Sequence, residues 1–265
     1  MKKLLALMMI VSLALMPAAL AGSYASNIDT IYSSFVSGAA AARDSADQLT
    51  NAAMRIFEYS YVWANELDTD GTWQQSIDEI FARYNSSDAQ AQSSEEQAVN
   101  GFYRATEMLY VVSCLMDTRG VYAESIDTVY QNYQNTDAAC QNSQQQIVNG
   151  AYRTFEYLYI IARIQDADNL YIDSLNGIWS SWQYGDNDAR TAQEQIANGT
   201  YRSFETLYII ASLMDARGDA QGVLDTIYNS YQKQHNAASD AVQQAVNGAY
   251  RCVESLYVVT TLLDD

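Results

Sequence analysis

The chain has one proline, one histidine and three cysteines in 265 residues. So little material is left for histidine–cysteine metal clusters, for a disulfide framework or for a nucleophile–histidine dyad. Cations are scarce as well. Lys and Arg number 14 against 32 Asp and Glu, a formal net charge of −18. A duplex-binding footprint needs clustered cations, so nucleic acid is excluded as a partner. What is abundant is side-chain surface to bury: 49% of residues are hydrophobic and 21 are Tyr. Acidity therefore does not signal a disordered tail, and the chain is expected to fold.

The first residues read as a secretory leader, with Lys2 and Lys3 ahead of the apolar run Leu4 to Leu15 and a small-residue site at Ala19-Leu20-Ala21. That run is shorter than the roughly 20 residues that span a bilayer. Cleavage is expected after Ala21, giving a secreted, periplasmic or cell-surface protein with no membrane span. Losing Lys2 and Lys3 takes the charge from −18 to −20 and leaves Lys233 as the only lysine. Such a surface gains nothing from anionic lipid.

A fixed period organises the remainder. Asn51, Asn100, Asn149, Asn198 and Asn247 recur every 49 residues, each followed four positions later by Arg and three beyond that by Glu. Tyr61, Tyr110, Tyr159, Tyr208 and Tyr257 keep the same register, as do Asp68, Asp117, Asp166, Asp215 and Asp264. Projecting back from Gly71, Gly120 and Gly218 lands on Gly22, the first residue after the expected cleavage site. The domain 22–265 therefore divides into units 22–70, 71–119, 120–168, 169–217 and 218–265. A period of this length marks a repeat architecture.

Each unit reads as an αα-hairpin. Trp73, Ile77, Ile80, Phe81 and Tyr84 form one apolar stripe of a short first helix, followed by a polar linker such as Asn85 to Gln92. Asp44, Ser93, Asn142, Thr191 and Asp240 are N-cap types. Glu96, Gln145, Glu194 and Gln243 stand three residues after the last four of them, the spacing of a capping box. A second helix of about 25 residues follows and stops near Gly71, Gly120, Asn169 or Gly218, residues that accept a left-handed conformation. The fold class is all-α: a tandem array of five hairpins, ten helices in all. An open superhelical solenoid is expected in preference to a closed α/α toroid, because Ala52, Met54 and Ser60 depart from the repeat as a capping unit would. The last unit shows little polar conversion, which favours ring closure or head-to-tail association.

The polar stripe of the second helix has two readings. Tyr103, Arg104, Glu107 and Tyr110, repeated as Tyr152, Arg153, Glu156 and Tyr159 and as Tyr201, Arg202, Glu205 and Tyr208, could grip a repeating ligand such as a glycan or extended peptide. The favoured reading is a partly buried Arg–Glu network between units, since the two side chains satisfy one another. Gly101, Gly150, Gly199 and Gly248 fit that view, each costing about 1 kcal/mol in a helix unless backbones approach closely.

Chemistry is harder to find. The conspicuous carboxylates recur in every unit, and no pair stands apart as a glycosidase pair would. Trp179 and Trp182 fill phases held elsewhere by Tyr or Phe, which leaves Tyr184, with Asp186 and Asp188, as a weak sugar or cation site. Asp68-Thr-Asp70-Gly71 lacks the later ligands of a calcium loop, and His235 is expected to be solvated. Cys114 and Cys252 are expected to be small buried hydrophobes, and Cys140 to be exposed. No catalytic residue, metal or cofactor is assigned. The expectation is a non-enzymatic binding scaffold for a protein partner. A self-assembling head-to-tail subunit and a toroidal polysaccharide-active enzyme or glycan binder are the alternatives.

Overall fold

A computed structural model describes residues 24–264, so the leader, Gly22 and the expected cleavage site lie outside the described residues. Ten helices follow one another with no strand among the described residues. The short helices are α1 (Ala25–Ala41), α3 (Gln74–Gln90), α5 (Ala123–Ala139), α7 (Ile172–Asp188) and α9 (Gln221–Ala237). The long ones are α2 (Ser45–Leu67), α4 (Ser94–Met116), α6 (Ser143–Gln165), α8 (Ala192–Met214) and α10 (Ala241–Asp264). Each short helix runs on through most of the stretch read as a polar linker, so only three residues separate it from its long partner. The extra turns are polar because they are solvated outside the hairpin core.

The helix starts follow the sequence with one correction. In each of the first four long helices the N-cap side chain accepts the N3 amide, from Asp44 through Thr191, and Asp240 does the same for α10. The returning N3 side chain reaches one residue further back than a capping box requires. Glu96 takes the Gln92 N–H, Gln145 that of Gln141, and Gln243 that of Ser239. Only Glu194 also takes the N-cap amide itself, Thr191. Gly71, Gly120 and Gly218 have positive φ, as has Asn169. They lie three residues past the C-cap aspartate, inside the turn that launches the next helix, where a chain reversal requires that conformation.

The short helices have no side-chain cap of their own. The preceding long helix supplies it. Asp68 accepts the Trp73 N–H, Asp117 those of Val121 and Tyr122, Asp166 that of Tyr171, and Asp215 those of Asp219 and Ala220. A carboxylate at a helix N-terminus satisfies orphan amides and complements the dipole.

The same joint is made a fifth time without a covalent turn. Asp264 accepts the Tyr24 N–H at 2.9 Å, across 240 residues. The helix α10 packs along α2 and against α1, as every other long helix packs against its successors. The ring of Tyr32 packs at a tilt against Tyr257 with centroids 4.7 Å apart, matching Tyr110 against Tyr130 at 4.9 Å and Tyr159 against Trp179 at 4.7 Å. Tyr257 donates to Asp29 as Tyr208 donates to Asp225. The expectation of an open superhelix is therefore corrected: the array closes on itself, the long helices inside and the short ones outside. Of the departures, Ala52 takes the place of the glycines that face the preceding long helix and so lies at the joint between the last and first units, whereas Met54 has the phase of Tyr103, which faces the following unit, and Ser60 that of Leu109; with the array closed, none of them caps an open end.

Ring size decides what lies at the centre. Helices packed about 8–10 Å apart in a ring of five have their axes about 7–8.5 Å from the centre, while a helix with its side chains has a radius of about 5–6 Å. Side chains can fill that gap. On α4, Gly101 faces the preceding long helix and Thr106 the following one, while Asn100 faces its own short helix. The remaining sector, with Ala98, Phe102, Ala105 and Leu109, is left to face the axis, and all four are buried. Leu158, Leu207 and Leu256 repeat Leu109 and are equally buried, so the bore is plugged by leucine.

Candidate functional site

The repeated asparagine ties each hairpin together. Asn51 donates to the Phe35 carbonyl, Asn100 to Tyr84, Asn149 to Tyr133, Asn198 to Trp182 and Asn247 to Tyr231, at 2.9 to 3.1 Å. One turn further on, the arginine Nη1 donates to the glutamate Oε2 within the same helix: Arg104 to Glu107, Arg202 to Glu205 and Arg251 to Glu254 at 2.5 Å, with Arg153 to Glu156 likewise. These pairs lie under the crevice between two short helices, on the outer wall of the ring. Tyr133 of α5 feels the charges of Arg104 and Glu107, and Arg83 of α3 reaches Glu107 at 3.1 Å.

Burial of the pairs is uneven. Arg55 and Glu58 are sealed, with side chains 4% and 1% exposed, whereas Arg202 and Glu205 are 23% and 24% exposed. Burial raises Glu58 to about 7, against the opposing pull of Arg55 and with the help of Asp88. Glu156 and Glu254 are also pushed up by burial and held down by their arginines.

The tyrosines of the stripe are clasps to the next short helix. Tyr103 donates to Asp137, and Tyr152 to Asp186 at 2.6 Å. Tyr201 bonds the Nδ1 of His235, whose ring stacks on Tyr231. His235 is thus half-buried in an aromatic pocket, which corrects the expectation of a solvated side chain: it occupies the acceptor position held by Asp137 and Asp186 in earlier units. Tyr110 donates to Asp127 and Tyr208 to Asp225, while the hydroxyl of Tyr159 accepts from Arg163. Every stripe residue therefore has a partner within the chain.

Tyr184 stands apart from them, 75% exposed on the outer face of α7. Asp186, nearby in sequence, is occupied by Tyr152 and Gln195. Trp179 and Trp182 are partly buried, with ring centroids 5.1 Å apart, and both lie against Phe155. The Asp68–Asp70 turn spends its carboxylates on the amides of Trp73 and Thr72, and among the described residues no three His, Cys, Asp or Glu are grouped to hold a metal ion. Cys252 is buried, as expected; Cys114 is only partly covered, and Cys140 is shielded more than expected. No described helix is long and apolar enough to cross a membrane.

Sequence reasoning missed one region. Val121 is 70% and Leu170 75% exposed, the same phase of neighbouring turns at the end of the ring where the long helices finish. Arg119 and Arg217 belong to turns at that end, and neither forms an ion pair among the described residues. The signal was present: Val121 and Leu170 stand where Thr72 and Asp219 occur in other units, an apolar drift at a turn position.

Comparison of the chain with family models, with curated protein sequences and with solved structures finds no match.

Proposed function

We propose that the protein is an exported, non-catalytic scaffold that presents the turn-bearing end of its ring to an acidic protein partner. One observation carries the reading: exposed Val121 and Leu170 on neighbouring turns, at an end that also carries the unpaired Arg119 and Arg217. In a chain so acidic, a turn-bearing end that sets exposed Val121 and Leu170 among Arg119 and Arg217, with Asp168 and Asp219 interspersed, departs from the rest of the surface, and apolar surface ringed by charge is the usual signature of a recognition site. The toroidal-enzyme alternative needs a central acidic pocket, and the space such a pocket would occupy is filled by Leu109, Leu158, Leu207 and Leu256. The expected export supplies the setting.

A photo-crosslinking residue at position 121 or 170, introduced in the native host, tests this. One discrete heterologous adduct, lost in Arg119→Glu and absent with the crosslinker at the exposed position Gln232, is the expected result. An adduct to a second copy of the chain would transfer the reading to self-association. No adduct at either position would end it.

A further inference from the structure

The four covalent turns carry a second pattern at the end of the ring that bears them. Asp70, Arg119, Asp168 and Arg217 hold the same phase of successive turns, and all four are exposed. Their signs alternate around the rim as acid, base, acid, base, and the fifth place falls at the non-covalent joint. Two residues further along the same turns stand Thr72, Val121, Leu170 and Asp219, also exposed. Beside them the last turns of the long helices leave Met116, Ile164, Leu213 and Leu262 half-buried. This end is therefore an apolar surface within a rim of alternating charge.

Alternation makes such a face complementary to itself. When one ring is turned face-down on another about a two-fold axis, each turn meets a turn of the other copy, and a ring of five joints allows five such registers. Four of them set at least one acid on an acid or one base on a base. In the remaining register the axis passes through the non-covalent joint and between the turns of Val121 and Leu170. Asp70 then meets Arg217 of the second copy and Arg119 meets Asp168 of the second copy, each pair being made twice. The same register lays Val121 of each copy on Leu170 of the other, so the exposed apolar pair covers itself. Like charges opposed across an interface cost more than exposed pairs gain, so charge selects the register while apolar contact supplies attraction. We propose that the partner-free chain pairs face to face with a second copy through this end, in that one register, and that the acidic partner proposed above competes for the same arginines. The inference rests on that reading's choice of surface. A two-fold pair closes at two copies, in contrast to a head-to-tail array.

The test follows the purified, exported chain by sedimentation and light scattering across a concentration series at about 0.15 M salt. The expected result is a mass that doubles and then stops. Arg119→Asp is expected to weaken pairing about tenfold or more, since it sets acid on Asp168 twice. Combining Arg119→Asp with Asp168→Arg is expected to restore pairing. Combining Arg119→Asp with Asp70→Arg, at identical composition and net charge, is not, because position 70 faces position 217. Each swap installs a residue that the same phase of another turn already carries, so the fold accommodates it, and thermal melting checks this. A wild-type chain that stays monomeric, a mass that climbs beyond the dimer, or equal pairing in the two double variants would overturn the proposal. The crosslinking experiment in the host is independent of these outcomes. A heterologous adduct from a chain that is monomeric when purified would keep the partner reading and end this one, whereas a dimer with no heterologous adduct would end the partner reading alone.

Discussion

Four of the five joints in the ring are covalent turns and the fifth is not, yet all five use one contact, an aspartate at the end of a long helix capping the next short helix. What differs is the packing beside it. The covalent joints put Gly101, Gly150, Gly199 and Gly248 against the preceding long helix, while the fifth has Ala52 in that place. Tyr103, Tyr152 and Tyr201 find acceptors on the next short helix; for Tyr250 the phase held by Asp137, Asp186 and His235 is Ala39, so its buried hydroxyl has no carboxylate or imidazole there and only the Asn51 side chain beside it. A repeat can close a ring with imperfect copies of its own interface because closure is intramolecular: the chain supplies the missing joint at high effective concentration.

The largest effect expected is at the tightest joint. A Cβ on Gly101 would lie 2.7 Å from the backbone carbon of Ala53, and backbone cannot turn aside. Gly101→Ala should cost about 3 kcal/mol through overpacking, despite the helix propensity gained. At Gly248 the nearest atoms belong to side chains, the Thr200 hydroxyl at 2.6 Å and Tyr201 Cδ1 at 2.9 Å, which can shift further than backbone, so Gly248→Ala should cost somewhat less. Ala52→Gly at the fifth joint should cost only about 1 kcal/mol. Denaturant unfolding of the three variants checks the order, and equal losses would erase the distinction between the joints.

Next in size come the ion pairs. Arg153→Ala strands the buried Glu156 and removes a donor to the Asn149 side chain, and should destabilise by about 2–3 kcal/mol. Arg202→Ala, whose pair is about a quarter exposed, should lose about 1 kcal/mol or less. Unchanged melting of Arg153→Ala would return the stripe to the ligand-ladder reading.

Most of this fold was legible in the sequence because the repeat samples each position five times. The 49-residue period, the cap residues, the close approach at the glycines and the Arg–Glu pairing all rest on identities that recur, such as Asn100 and Arg104. Closure was not legible. Departures from the repeat such as Ala52 are as compatible with an end cap as with a poorly matched joint, and contacts across the seam, such as Tyr24 with Asp264 and Tyr257 with Asp29, distinguish the two. The exposed end was hidden for the opposite reason: Val121 and Leu170 lie at a drifting position, where no recurrence draws attention.

Acid should act mainly on the first unit. Glu58 is raised to about 7 from an ordinary 4.5, so the folded state binds its proton more tightly than the unfolded chain. Its contribution to stability is complete below about pH 4.5 and is lost as the pH climbs to about 7. The protein should therefore melt higher at pH 5 than at pH 7.5, and Glu58→Gln should flatten part of that slope. A profile that rises from pH 5 to 7.5 would contradict the sign.

The smallest effect is the most specific test of the fifth joint. Asp137 and Asp186 receive the hydroxyls of Tyr103 and Tyr152, and position 39 is the same phase of α1. Ala39→Asp would give the Tyr250 hydroxyl the acceptor it lacks, a gain of about 1 kcal/mol for a charge-assisted bond, offset in part by placing another carboxylate on an acidic surface. Tyr250→Phe alone should be close to neutral, because the hydroxyl it removes has only the Asn51 amide beside it and makes no well-formed hydrogen bond. In the double variant the gain should vanish, since aspartate at 39 then has no donor to receive. A double-mutant cycle by thermal or denaturant unfolding isolates that coupling from the general cost of the added charge. A coupling near 1 kcal/mol would show that the seam follows the same rules as the covalent joints and is weaker only where a residue is missing; zero coupling would mean that the last and first units meet in a geometry of their own.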